Sequence, residues 1–311
     1  MTAALGAQSG TGGPRGRGAS PRAAAMSRRP AAGRARAGFV LAELLVAMLI
    51  AALIGVSLTQ LVISQSRFVA LQGAIMQARG GARAALNVMA GDLRMVSDSG
   101  LVAAATDSVT VRVPYAFGVA CGQWNGRTVV GLLPADSATY FSVTASGYAW
   151  RDSTGKYVFV EPATVSRNWG WACNWPRSNP PIRILGMPGW SPLAVAVRPN
   201  DVRTPPGTVI YLYQLVRYAF APSAQLPGKI GLWRTVLSTG QRDELVAPFD
   251  TSASFQFLDS SYTARTTPPT DLTAVKGVRL ILVAASEQPP EGRALPVQFR
   301  LTTDVVFRNH S

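Results

Sequence analysis

The chain has 311 residues, 48% hydrophobic and 15% charged, which is enough apolar material for one large domain or two small ones. Its formal net charge of +14 would suggest nucleic acid, but seven arginines and no Asp or Glu fall within residues 1–38, leaving 23 basic and 16 acidic residues beyond them, a net +7. The one histidine, His310, stands beside the C-terminus and there are two cysteines, so Ser/His/Asp catalysis, Cys/His catalysis and a zinc site all lack their groups.

Residues 1–38 are rich in Gly, Ala, Arg and Ser and show no apolar period, so they are expected to be disordered. At Phe39 the character switches. FVLAELLVAMLIAALIGVSL runs to Leu58 with a single charge, Glu43. Twenty helical residues span about 30 Å, the thickness of a bilayer core. The arginines before the run place residues 1–38 in the cytoplasm and export the C-terminal bulk. An ordinary secretory signal carries its small-residue cleavage site after a shorter apolar core. Here the small residue, Gly38, comes first. A plain signal anchor accounts for length and charge but leaves Glu43 unexplained, since an ionisable group at the centre of a membrane helix costs about 2.5–3.5 kcal/mol.

The stretch Gly38-Phe39-Val40-Leu41-Ala42-Glu43-Leu44-Leu45-Val46-Ala47-Met48 closely resembles the class III signal of type IV prepilins and type II secretion pseudopilins. The resemblance implies cleavage by prepilin peptidase between Gly38 and Phe39, N-methylation of Phe39, and Glu43 as fifth residue of the mature chain. In that family the glutamate is thought to neutralise the N-terminal amine of a neighbouring subunit; two charges costly alone in lipid become tolerable as a pair. The resemblance thus implies that Glu43 is an assembly residue. Family leaders are short, and Met26 offers an internal start that leaves the 13-residue leader MSRRPAAGRARAG.

Helical spacing of apolar residues continues past the membrane through Leu61, Phe68, Leu71, Ile75, Met76, Leu86, Met89, Leu93 and Val96. No proline occurs between Phe39 and Pro114, which permits one helix over 39–97, transmembrane over about 39–60. Gly80-Gly81 is a point where it could bend or break, and Asp98-Ser99-Gly100 supplies the stop. Strand patterns follow at Val109–Val113, Thr208–Leu215, Gly231–Val236, Ala253–Leu258, Val275–Ala284 and Gln298–Phe307, and Pro227-Gly228 marks a hairpin between the second and third. The expected fold is α+β: a long N-terminal helix, first transmembrane and then amphipathic, packed on a C-terminal antiparallel sheet head over 98–311. This order is similar to minor pilins of the PilW type and to J-type pseudopilins, and the large head suits a minor subunit.

Cys121 and Cys173 both lie beyond the apolar run. If that part is exported they should form one disulfide; two unrelated buried thiols are the alternative. The cluster Trp169-Gly170-Trp171-Ala172-Cys173-Asn174-Trp175 would serve as a partner contact if exposed, or as a local mini-core around the bridge. No phosphate loop or calcium loop is found, so neither a cofactor nor a small-molecule substrate is expected. The chain is expected to be a structural subunit and not an enzyme. Its partners would be prepilin peptidase, other pilin or pseudopilin subunits and the bacterial inner membrane, crossed once with the head in the periplasm. Nucleic acid is not the expected partner, because the mature charge is modest. The competing reading is a signal-anchored periplasmic binding or adhesion protein.

Overall fold

The computed structural model describes residues 41–307 apart from 98, 134, 135, 137, 138, 141, 167–172, 174–193, 202 and 203. Gly38, Phe39, Trp169, Trp171, Trp175 and His310 lie outside the described residues. The chain divides into two compact units, Met1–Leu58 and Thr59–Ser311.

Helix α1 (Leu41–Met95) is 55 residues long and contributes to both units. It is built from Ala, Leu and other good helix formers without proline. The Ser57 hydroxyl donates to the Leu53 carbonyl at 2.9 Å, so a polar group within the apolar run is satisfied by its own helix. The expected weak point at Gly80-Gly81 does not interrupt α1. Gly81 is pressed to the sheet: a Cβ there would lie 3.3 Å from Val246 Cγ1 and 3.9 Å from Ala284 Cβ. Packing against those side chains outweighs the low helix propensity of the glycines. Beyond Met95 the chain turns sharply. Ser99 takes φ 61°, and Gly100 approaches Ser97 so closely that a Cβ would sit 2.8 Å from its carbonyl oxygen. Only glycine fits there.

Fourteen strands follow among the described residues: β1 (Leu101–Ala104), β2 (Ser108–Trp124), β3 (Arg127–Leu132), β4 (Gly147–Arg151), β5 (Tyr157–Val160), β6 (Thr164–Ser166), β7 (Ala194–Arg198), β8 (Val209–Pro222), β9 (Ile230–Val236), β10 (Gln241–Phe249), β11 (Ser254–Leu258), β12 (Ala264–Arg265), β13 (Gly277–Ala285) and β14 (Gln298–Val306). They form one antiparallel sheet in the order β12-β11-β13-β10-β9-β8-β2-β3-β7-β6, with β1 on β2, β14 on β13, β4 on β8 and β5 on β4. One long apolar helix followed by a large antiparallel sheet is the α+β organisation that the residue patterns imply. The expected hairpin is present as β8–β9, running from Val216↔Val236 to Pro222↔Ile230, with Gly228 in the left-handed conformation in its loop.

β8 is the axis of the head. Along one edge it pairs with β2 from Ser108↔Ala219 to Val119↔Val209. Along the other it forks, pairing with β4 over Ile210–Tyr213 and with β9 over Val216–Pro222. Each branch has its own core. Val111, Val216, Leu280 and Leu282 pack with α1, whereas Tyr148, Trp150, Ile210, Leu212, Val130 and Val195 form a second cluster. Cys121 on β2 is disulfide-bonded to Cys173 with Cα atoms 5.2 Å apart, and the bridge packs with Val129 and Ala194. The bridge form of the cysteine expectation is the one observed.

Candidate membrane-anchoring and assembly segment

In the first unit, Leu41–Leu58 is exposed at every position. Leu41 is 78% exposed, and Leu45, Met48, Leu49 and Leu53 are also open. An 18-residue window of α1 is apolar enough to cross a membrane, and none of it is buried in the structure. Such a surface is unfavourable in water by roughly 25 cal/mol per Å² and favourable in hydrocarbon. Glu43 lies in the first described turn of α1. Glu43 and the uncovered apolar surface thus share one helix. The residues of the proposed cut, Gly38 and Phe39, lie outside the described residues.

In the second unit the expected row of α1 is buried only toward its C-terminal end, where Met89 and Leu93 are covered and Leu86 packs on the core. Nearer the membrane segment it is not: Phe68 is 61% exposed and Met76 71% exposed. The buried row is Ala78, Ala82, Ala85, Met89, Ala90 and Leu93. Small side chains bring a helix backbone close to a sheet, and close approach maximises dispersion contact. The larger residues Leu61, Val62, Phe68, Val69 and Met76 stay uncovered, so apolar surface continues beyond the membrane-length segment.

Two polar clusters hold α1 and its exit to the sheet, and neither was read from sequence. In the first, the Tyr218 hydroxyl donates to Asp92 Oδ2 at 2.5 Å, and Arg234 Nε donates to the same oxygen at 3.3 Å. Tyr218 is fully buried. Burial, reinforced by the Asp92 charge, pushes its hydroxyl pKa well above the ordinary tyrosine range. In the second, Arg112 lies over the Phe159 ring, 4.3 Å from the centroid, and donates to both Glu161 oxygens at 2.8 and 3.2 Å. It also donates to the Ser99 carbonyl at 3.0 Å, just past the helix end. Tyr213 donates to Glu161 at 2.9 Å. Burial works to raise the Glu161 pKa, but the bonds from Arg112 and Tyr213 outweigh it and hold the carboxyl below its ordinary value. A sequence signal existed for Asp92 alone: a carboxylate one position before Leu93, beside the apolar helical row.

No protein-family model, curated protein or solved structure matches this chain. The architecture itself, one long apolar N-terminal helix packed on an antiparallel sheet, is pilin-like.

Proposed function

We propose that the chain is a minor pilin or pseudopilin: a precursor cut between Gly38 and Phe39 by prepilin peptidase, N-methylated at Phe39, and assembled into a type IV pilus or type II secretion pseudopilus. The observation that carries this reading is the first part of α1, uncovered and membrane-length, with Glu43 in its first turn and no break before the head. A simple anchor needs the apolar length but not the acid. Large side chains uncovered from Leu61 to Met76 supply further surface for neighbouring helices. The disulfide fits a head exported from the reducing cytosol, with the arginine-rich leader left inside. The role in this reading is structural.

The test is the mass of the N-terminal peptide from native membranes, with and without the peptidase. Methylated Phe39 that appears only with the peptidase is the expected result. Gly38→Ala should block processing, and Glu43→Ala should permit processing but prevent incorporation into filaments. An intact leader in both strains would leave the chain as a signal-anchored periplasmic protein.

A further inference from the structure

Among the described residues, the edge of the sheet at β14 is long and open. β14 pairs with β13 over nine residues, Gly277↔Val306 to Ala285↔Gln298, without a register shift. Its sequence QFRLTTDVV contains no proline, glycine or lysine. The other strands with only one partner are short: β5 and β1 have four residues, β6 three and β12 two. Native edges are normally kept short, bulged or broken by proline, because an open row of N–H and C=O groups pairs with other chains.

The direction of each main-chain group on β14 follows from the ladder. Ser286 N donates to the Val297 carbonyl at 2.8 Å and Phe307 N to the Lys276 carbonyl at 3.0 Å. Antiparallel alternation therefore turns Phe299, Leu301, Thr303 and Val305 toward β13. Gln298, Arg300, Thr302, Asp304 and Val306 turn outward, and among the described residues their outward main-chain groups have no partner. The side chains of Gln298, Arg300, Thr302 and Asp304 are exposed. Asp304 is held by Arg279 through bonds of 2.6 and 2.8 Å, whereas Arg300 has no ion-pair partner among the described residues.

We propose that β14 is a docking edge for an antiparallel extended segment of another polypeptide, one that sets a carboxylate opposite Arg300. Main-chain bonds at five outward positions supply the affinity, and the carboxylate at Arg300 supplies register and choice of partner. A matching strand reads basic-x-hydroxyl-x-acidic, and β14 itself has that order in Arg300-Leu301-Thr302-Thr303-Asp304. In a second copy, however, Asp304 is already held by Arg279, so the carboxylate set opposite Arg300 belongs to a different chain.

The experiment uses the full chain in detergent micelles and a labelled synthetic peptide with the sequence of residues 297–307, in which Asp304 is free of Arg279. Saturable binding is expected. Thr302→Pro in the protein should weaken it by about tenfold or more, since one outward donor is lost and the ring blocks approach. The same change should leave the unfolding transition in place, because the Thr302 N–H points away from β13. A peptide with Asp304→Lys should bind less tightly to the wild-type protein and regain affinity for Arg300→Glu. Absence of saturable binding, or binding indifferent to Thr302→Pro, would overturn the proposal. Dimerisation of the full chain that Thr302→Pro abolishes would overturn the assignment to another polypeptide in favour of a second copy. Processing at Gly38 is read separately, so either proposal can fail without the other.

Discussion

Replacing Asp92 by alanine tests what holds α1 on the sheet. Asp92 accepts from the Tyr218 hydroxyl at 2.5 Å and from Arg234 Nε at 3.3 Å. A hydrogen bond from a fully buried hydroxyl to a carboxylate contributes about 1.5–3 kcal/mol. The Asp92–Arg234 side chains are 26% and 23% exposed, so water screens that pair and it adds no more than about 1 kcal/mol. Asp92→Ala should therefore lower stability by about 2–4 kcal/mol. Tyr218→Phe deletes the other end of the same bond and should cost about 1–2 kcal/mol. If the bond is the reason, the double variant should be less destabilised than the singles added together, by about 1–2 kcal/mol. Urea unfolding of the four proteins in a mild detergent, followed by tryptophan fluorescence, gives all the terms of the cycle. Additive losses, or a loss below about 0.5 kcal/mol for Asp92→Ala, would refute the argument, because surface substitutions alone reach that size.

The glycines of α1 and the buried tyrosines of the head give the other predictions. Nothing lies within 4 Å of a Cβ built at Gly80, so Gly80→Ala should raise stability by about 0.5–1 kcal/mol; Gly81→Val, forced against Val246 and Ala284, should lower it by about 1–3 kcal/mol, and urea midpoints of the two should move in opposite directions. Burial is the largest cause raising the pKa of Tyr115, Tyr213 and Tyr218 above the ordinary value of 10.0. A raised pKa means that the folded chain holds its proton longer than the unfolded chain. The stability these groups contribute is thus complete below about pH 10 and is lost as pH rises beyond it. A stability-against-pH series should fall on that alkaline side, and Tyr218→Phe should flatten the fall. An unchanged slope in that variant would show that Tyr218 is not among the groups responsible.

Much of this protein is legible in its sequence, because the controlling forces are local. A predominantly apolar run of twenty residues after a run of arginines specifies a membrane-length helix whatever follows, and the absence of proline lets that helix continue. Alternation and β-branching mark β8, β9, β11, β13 and β14, since a half-buried strand needs nothing beyond its own two faces to be recognised. By contrast, β4, β5 and β7 went unread. Gly147–Arg151, Tyr157–Val160 and Ala194–Arg198 are short segments without clear alternation, and each becomes a strand because a neighbour supplies its ladder.

What only the tertiary structure decided are the choices made between distant segments. Periodicity identifies apolar residues on α1 but cannot say which row the sheet will take. The sheet took a row of four alanines with Met89 and Leu93, where the small side chains let the backbone approach closely, and Phe68 and Met76 were left outside. Asp92 met Tyr218 and Arg234 across 126 and 142 residues of sequence, and Arg112 met Glu161 across 49. No local pattern encodes such meetings. Nor does any local pattern make β14 an edge: its nine residues resemble those of an interior strand, and it lies open only because no later described strand pairs beside it.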